Sequence, residues 1–212
     1  MKSTNKIVVL ALAFAAAPVF AAAPRPGTGG APDVALRSLP LIVAENPVAM
    51  GFRTAAEAST ATLAEPLPVY LLRLDRLKVY SAGQNPMTLL TDLATAVYPV
   101  RVGTETRSSM ELTSINGVWE PRSFGDPATS KLVDDVRTSA ALAWGIEVTA
   151  FFEVRALALN VTVLGFQGPR GLMFVPLGDD ASLGFQKGVA LAAAQALGAL
   201  QPLALAHDGL PH

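Results

Sequence analysis

An uncharged apolar run from Ile7 to Phe20 opens the chain, with Lys2 and Lys6 ahead of it and Val19-Phe20-Ala21 closing it. A basic start, a short apolar segment and small residues at a cleavage point are the pattern of a secretory signal peptide, here ending at Ala21. This constrains the fold more than any other feature. The most hydrophobic stretch is removed, and residues 22–212 fold outside the cytoplasm, as a periplasmic or secreted protein. An uncleaved anchor is the alternative. The run is about 14 residues, against the roughly 20 that a spanning helix needs, and Pro18 interrupts it. Residues 189–200 are alanine-rich, but the stretch is short and holds Gln195 and Gly198. No membrane span is expected after cleavage.

The sequence has no cysteine. That excludes a disulfide framework, a thiolate metal site, a cysteine nucleophile and a lipid-anchored cysteine. An exported domain without disulfides stands on its core alone. Without Lys2 and Lys6, the 16 basic residues become 14 against 17 acidic ones, a charge of about −3. The basic residues are scattered, so no clustered basic face offers itself to nucleic acid.

Pro and Gly dominate residues 22 to about 34, and residues 22–65 read as a tether. Within it, Leu39 to Val43 suggests a short strand and Thr54 to Ala64 a short helix. A single globular domain is expected over 66–205, with a disordered tail at 206–212. Val69 to Tyr80 reads as strand, with a change of phase at Asp75-Arg76. Asn85-Pro86 reads as cap and first residue of a helix to about Ala94. Ala96 to Val102 is the next strand. Asn116-Gly117 marks a type I′ hairpin between Ser108–Ile115 and Val118–Phe124, where Met110 and Leu112 alternate with Ser109, Glu111 and Thr113 on a wet face. Asp126 caps a second helix that Pro127 starts and Gly145 ends. Its apolar stripe is Leu132, Val133, Val136, Ala140, Ala143 and Trp144, and Lys131, Asp134, Asp135 and Arg137 are expected in water. Strands follow at about 147–155, 157–166 and 172–177. A helix of roughly 185–200 ends before Pro202.

The expected fold is α+β. An antiparallel sheet of about six or seven strands carries two or three helices on one face. Asn85-Pro and Asp126-Pro each open a helix followed by about three strands, which suggests an internally duplicated unit. In element order alone, this resembles the small propeptide and cystatin-like modules that accompany exported proteins.

His207 and His212 are the only histidines, both in the tail. A Ser–His–Asp triad or a His-based metal site in the body is therefore unsupported. No metal or cofactor is expected. Glu153 and Arg155 share one strand face and read as an ion pair, or as a carboxylate polarised for chemistry. Asp179 and Asp180 read as turn and cap residues, or as a loop for a hard cation. Trp119, beside the hairpin turn, is core or a contact surface. These five residues are the binding candidates, and no catalytic residue is assigned. Whether the chain is an enzyme stays open, with catalysis the weaker reading. The leading expectation is an exported, non-catalytic binding or accessory protein of the bacterial periplasm or cell envelope. Its partner would be an unidentified envelope protein or a small ligand. The alternatives are a carboxylate-dependent hydrolase without His or Cys, and a small-molecule sensor with its pocket under the C-terminal helix.

Overall fold

A computed structural model describes residues 30–207. The signal-peptide segment, residues 22–29 and residues 208–212 of the expected tail lie outside the described residues.

The first described element is a helix, within the stretch expected as a tether. α1 (Ala31–Val43) buries Ala35, Leu39 and Val43, and their spacing of four places them on one helical face. Pro40 sits inside this helix at the loss of one backbone hydrogen bond. Thr54 caps the short α2 (Ala55–Ala58), its hydroxyl accepting from Glu57 N. Next come β1 (Thr62–Leu63) and β2 (Leu67–Leu72), and then α3 (Leu74–Lys78) where strand was expected to continue.

Asn85 caps as expected, accepting from Met87 N at 3.1 Å. The helix lasts only one 3-10 turn, Pro86–Leu89, before β3 (Leu90–Val102). Backbone pairing of Leu90, Thr91 and Asp92 with β2 takes over residues that the sequence assigned to helix. The first half of the expected duplication therefore opens on a turn, although three strands follow it. β4 (Glu105–Ile115) and β5 (Val118–Gly125) form the hairpin, with Asn116 at φ +54° and Gly117 at φ +83°. Both values are what a type I′ turn requires.

α4 (Pro127–Trp144) begins with Asp126 accepting from Thr129 N and ends at Gly145, φ +62°. Beyond it lie β6 (Phe152–Ala156), β7 (Val161–Gly168), β8 (Gly171–Pro176), β9 (Leu191–Ala192) and α5 (Ala193–Ala206). α5 starts later than expected and runs through Pro202.

Among the described residues the sheet has nine strands and is mixed rather than wholly antiparallel. Its order is β5-β4-β3-β2-β6-β7-β8-β9, with β1 paired beside β3. Two antiparallel meanders, β2 to β5 and β6 to β9, meet at the parallel pair β2–β6. α4 causes this pairing. It leaves the β5 edge and returns the chain to the sheet centre, so β6 runs in the direction of β2. Five helices occur among the described residues, and they cover both faces. On β3, Tyr98 packs with α1, while neighbouring Val97 packs with α4. On β7, Val163 packs with α5, while neighbouring Leu164 packs with α4. α1 and α5 thus share one face, and α4 covers the other. Gly51, φ +87°, lies flat against β4, where a Cβ would stand 1.8 Å from the Arg107 carbonyl oxygen.

Candidate functional site: a cleft between α4 and the sheet

The N-terminal half of α4 leaves a cleft of about 270 Å³ over its side of the sheet. Strand register sets what lies beneath. Leu67 pairs with Val97, and Val97 with Glu111, so these three residues share the α4 face. Glu111 pairs with Ser123, and Ser109 with Gly125. From the other meander, Val69 pairs with Glu153 and Leu71 with Arg155. Pro99 also lines the cleft. Its carbonyl accepts from Ala64 N at 2.9 Å, so its donorless nitrogen faces the break between β1 and β2. The helix contributes Thr129, Ser130 and Val133.

Arg155 organises the charges. Its Nε donates to Glu153 Oε1 at 2.5 Å, and its Nη2 lies 2.9 Å from Glu111 Oε2. β2 and β3 stand between β6 and β4 in the sheet, so this second contact arches over the apolar floor. Burial works against the Arg155 charge. The charges and hydrogen bonds of Glu153 and Glu111 more than offset it and raise the guanidinium pKa. Ser109 and Ser130 hydroxyls donate to the Gly125 carbonyl at 2.8 and 3.3 Å, fixing the β5–α4 corner at the rim.

The structure thus joins two of the expected candidates, Glu153 and Arg155, in one ion pair, and adds Glu111. The Glu111 face of the hairpin was expected to be wet, and α4 covers part of it. Ser-x-Glu on one strand and Glu-x-Arg on another, each at period two, were the signal available. Trp119 lies on the opposite face, half-buried against the α1 cluster.

Asp179 and Asp180 do not line the cleft. Asp180 Oδ1 accepts from Ser182 N, Ser182 Oγ and Leu183 N. The Ser182 hydroxyl, with the backbone donors, lowers the Asp180 pKa. Asp179 accepts from Lys187 N at 2.8 Å. Both carboxylates hold the loop in shape. Among the described residues, no three His, Asp or Glu side chains are grouped to hold a metal ion.

Two expectations about α4 are corrected. Asp134 is buried against Arg101, and Arg137 is only 2 % exposed. Arg137 donates from Nε to the Val148 carbonyl at 2.9 Å and from Nη1 to the Glu65 carbonyl at 2.8 Å. No helix among the described residues is long and apolar enough to cross a membrane. Comparison of the chain with family models, curated proteins and solved structures gives no match.

Proposed function

We propose that this is an exported, non-catalytic binding protein of the bacterial periplasm or cell envelope, and that the α4–sheet cleft is where it holds its ligand. One observation carries the reading. The cleft is concave and partly apolar, and its few charged groups are already fixed by one another through Arg155. A small set of placed polar groups on apolar walls is the character of a binding site.

Glycoside hydrolysis asks for two carboxyl groups facing each other across the scissile bond. Glu111 and Glu153 instead meet on one guanidinium, and Asp179 and Asp180 stand outside the cleft. The sensor alternative placed its pocket under α5. Ala196, Leu197 and Leu200 of α5 are fully packed into the core there, so the cleft under α4 is the better seat for a ligand.

An envelope extract passed over the immobilised protein and over an Arg155→Met variant tests this, with bound small molecules and proteins read by mass spectrometry. Species whose retention differs between parent and variant are expected, because Arg155→Met frees both Glu153 and Glu111. Identical profiles over repeated trials would count against the cleft as the binding site.

A further inference from the structure

Three features of the cleft have separate origins and agree. Glu153 is 6 % exposed, and Arg155 engages only its Oε1. No donor among the described residues reaches its other oxygen. The ionic side chains around the cleft are Glu111, Asp126 and Glu153 against Arg155 alone, so negative charge is in surplus. Between these groups the floor is apolar, formed by Leu67, Val97 and Val133.

We infer that the cleft takes a small organic ammonium ion, its N–H donors directed at the open oxygen of Glu153 and its apolar body on Leu67, Val97 and Val133. This deepens the binding reading above and rests on it. That Glu153 oxygen has no donor among the described residues yet is not sealed from solvent, and a cationic donor entering the cleft satisfies both its hydrogen-bonding capacity and its charge. A neutral donor would leave the surplus charge in place, and an anion would meet three carboxylates. The volume of about 270 Å³ is at the lower end for ligand pockets, which limits the body to about one ring. Asp126 is exposed and already caps α4 through Thr129 N, so the sheltered acceptor is on Glu153. A bare metal ion is not favoured, since among the described residues no three His, Asp or Glu side chains are grouped to hold one.

Three probes that share a ring and differ in charge decide the class: benzylamine, benzyl alcohol and benzoate. Each is titrated into the isotope-labelled protein, following the amides of Ser109, Glu111, Ser123, Gly125 and Glu153, with calorimetry alongside. Benzylamine is expected to give saturable shifts at these amides, with benzyl alcohol at least tenfold weaker and benzoate silent. Glu153→Gln should weaken benzylamine at least tenfold, and Asp180→Asn, outside the cleft, should leave it unchanged. Should Glu153→Gln fail to fold, Glu111→Gln reads the same charge from a half-exposed position, with a several-fold loss expected. Preference for benzyl alcohol or benzoate at the same amides would overturn the ammonium assignment while leaving the binding reading in place. No saturable shift from any probe would also overturn it, and the extract experiment then decides the binding reading separately.

Discussion

Arg101 on β3 holds both carboxylate oxygens of Asp134 on α4, at 2.8 and 2.7 Å. The Thr106 hydroxyl donates to the same carboxylate. This ionic pin sits outside the apolar contacts of Val133, Val136 and Ala140 and fixes where α4 stands on the sheet. The position of α4 in turn sets the width of the cleft. Asp134→Asn leaves Arg101 without its counter-charge and should lower stability by about 1–3 kcal/mol. For a chain of this size that is a fall in Tm of roughly 2–12 °C. Melting of Asp134→Asn, Arg101→Met and the double variant checks it. Two losses that simply add would show that the pair does not act as a unit.

The stretch expected as a tether belongs to the core. Leu39, Val43 and Phe52 are fully packed with Tyr98, Met110 and Leu112, and Arg137 is anchored on the Glu65 carbonyl. A chain beginning at Leu67 would lack Leu39, Val43 and Phe52 and uncover Tyr98, Met110 and Leu112, at about 1.5–3 kcal/mol for each. That loss is comparable with the whole typical stability of about 5–15 kcal/mol of a folded domain. Such a chain is expected to be unfolded or aggregated by circular dichroism and gel filtration, while one beginning at Gly30 folds. A monomeric, cooperatively melting protein from Leu67 would restore the tether reading.

What the sequence disclosed was local. Asp126, Pro127 and Gly145 bound α4 because capping and left-handed termination depend on single residues. Asn116-Gly117 fixes the hairpin for the same reason. α1 was hidden because Leu39 to Val43 read as a short strand in a Pro- and Gly-rich stretch, although Ala35, Leu39 and Val43 carried a helical period. The helix expected after Asn85 lost to strand pairing that no local signal reveals. The β2–β6 pair depends on the path of α4 across the sheet, a relation between distant elements. Of the cleft, Glu153 and Arg155 were visible through their period of two. Glu111, Asp134 and Arg137 were assigned to water because a charged side chain is buried only when other elements supply its partners. Here those partners are Arg155, Arg101 and two loop carbonyls.

Arg137 is a buried cation held by two backbone carbonyls, while its Nη2 is buried without a hydrogen-bond partner. Burial lowers its pKa to about 10, with Asp134 working in the opposite direction. Arg137→Ala removes the packed stem and both hydrogen bonds, and should cost about 3 kcal/mol. Arg137→Met keeps the stem and removes the desolvated charge, so its loss should be about 1 kcal/mol or less. Urea denaturation of the two variants gives the comparison. Equal losses would mean that the carbonyl bonds, and not the packed stem, hold α4 to the loops.

Alkaline pH separates Tyr70 from Arg137, because their signs are opposite. Burial raises the Tyr70 pKa from 10.0 to about 12, and Asp92 adds to the shift. Between those values the unfolded chain has released the phenol proton and the folded chain has kept it. Folded-state stability from Tyr70 is therefore complete below pH 10 and lost as pH rises toward 12. The lowered pKa of Arg137 acts the other way: above about pH 10 the folded state sheds a proton that the unfolded state keeps, which favours folding. Tyr70→Phe should flatten the decline in urea midpoint between pH 10 and 12, and Arg137→Met should steepen it. Parallel declines in the parent and Tyr70→Phe would show that the Tyr70 phenol does not carry the alkaline transition.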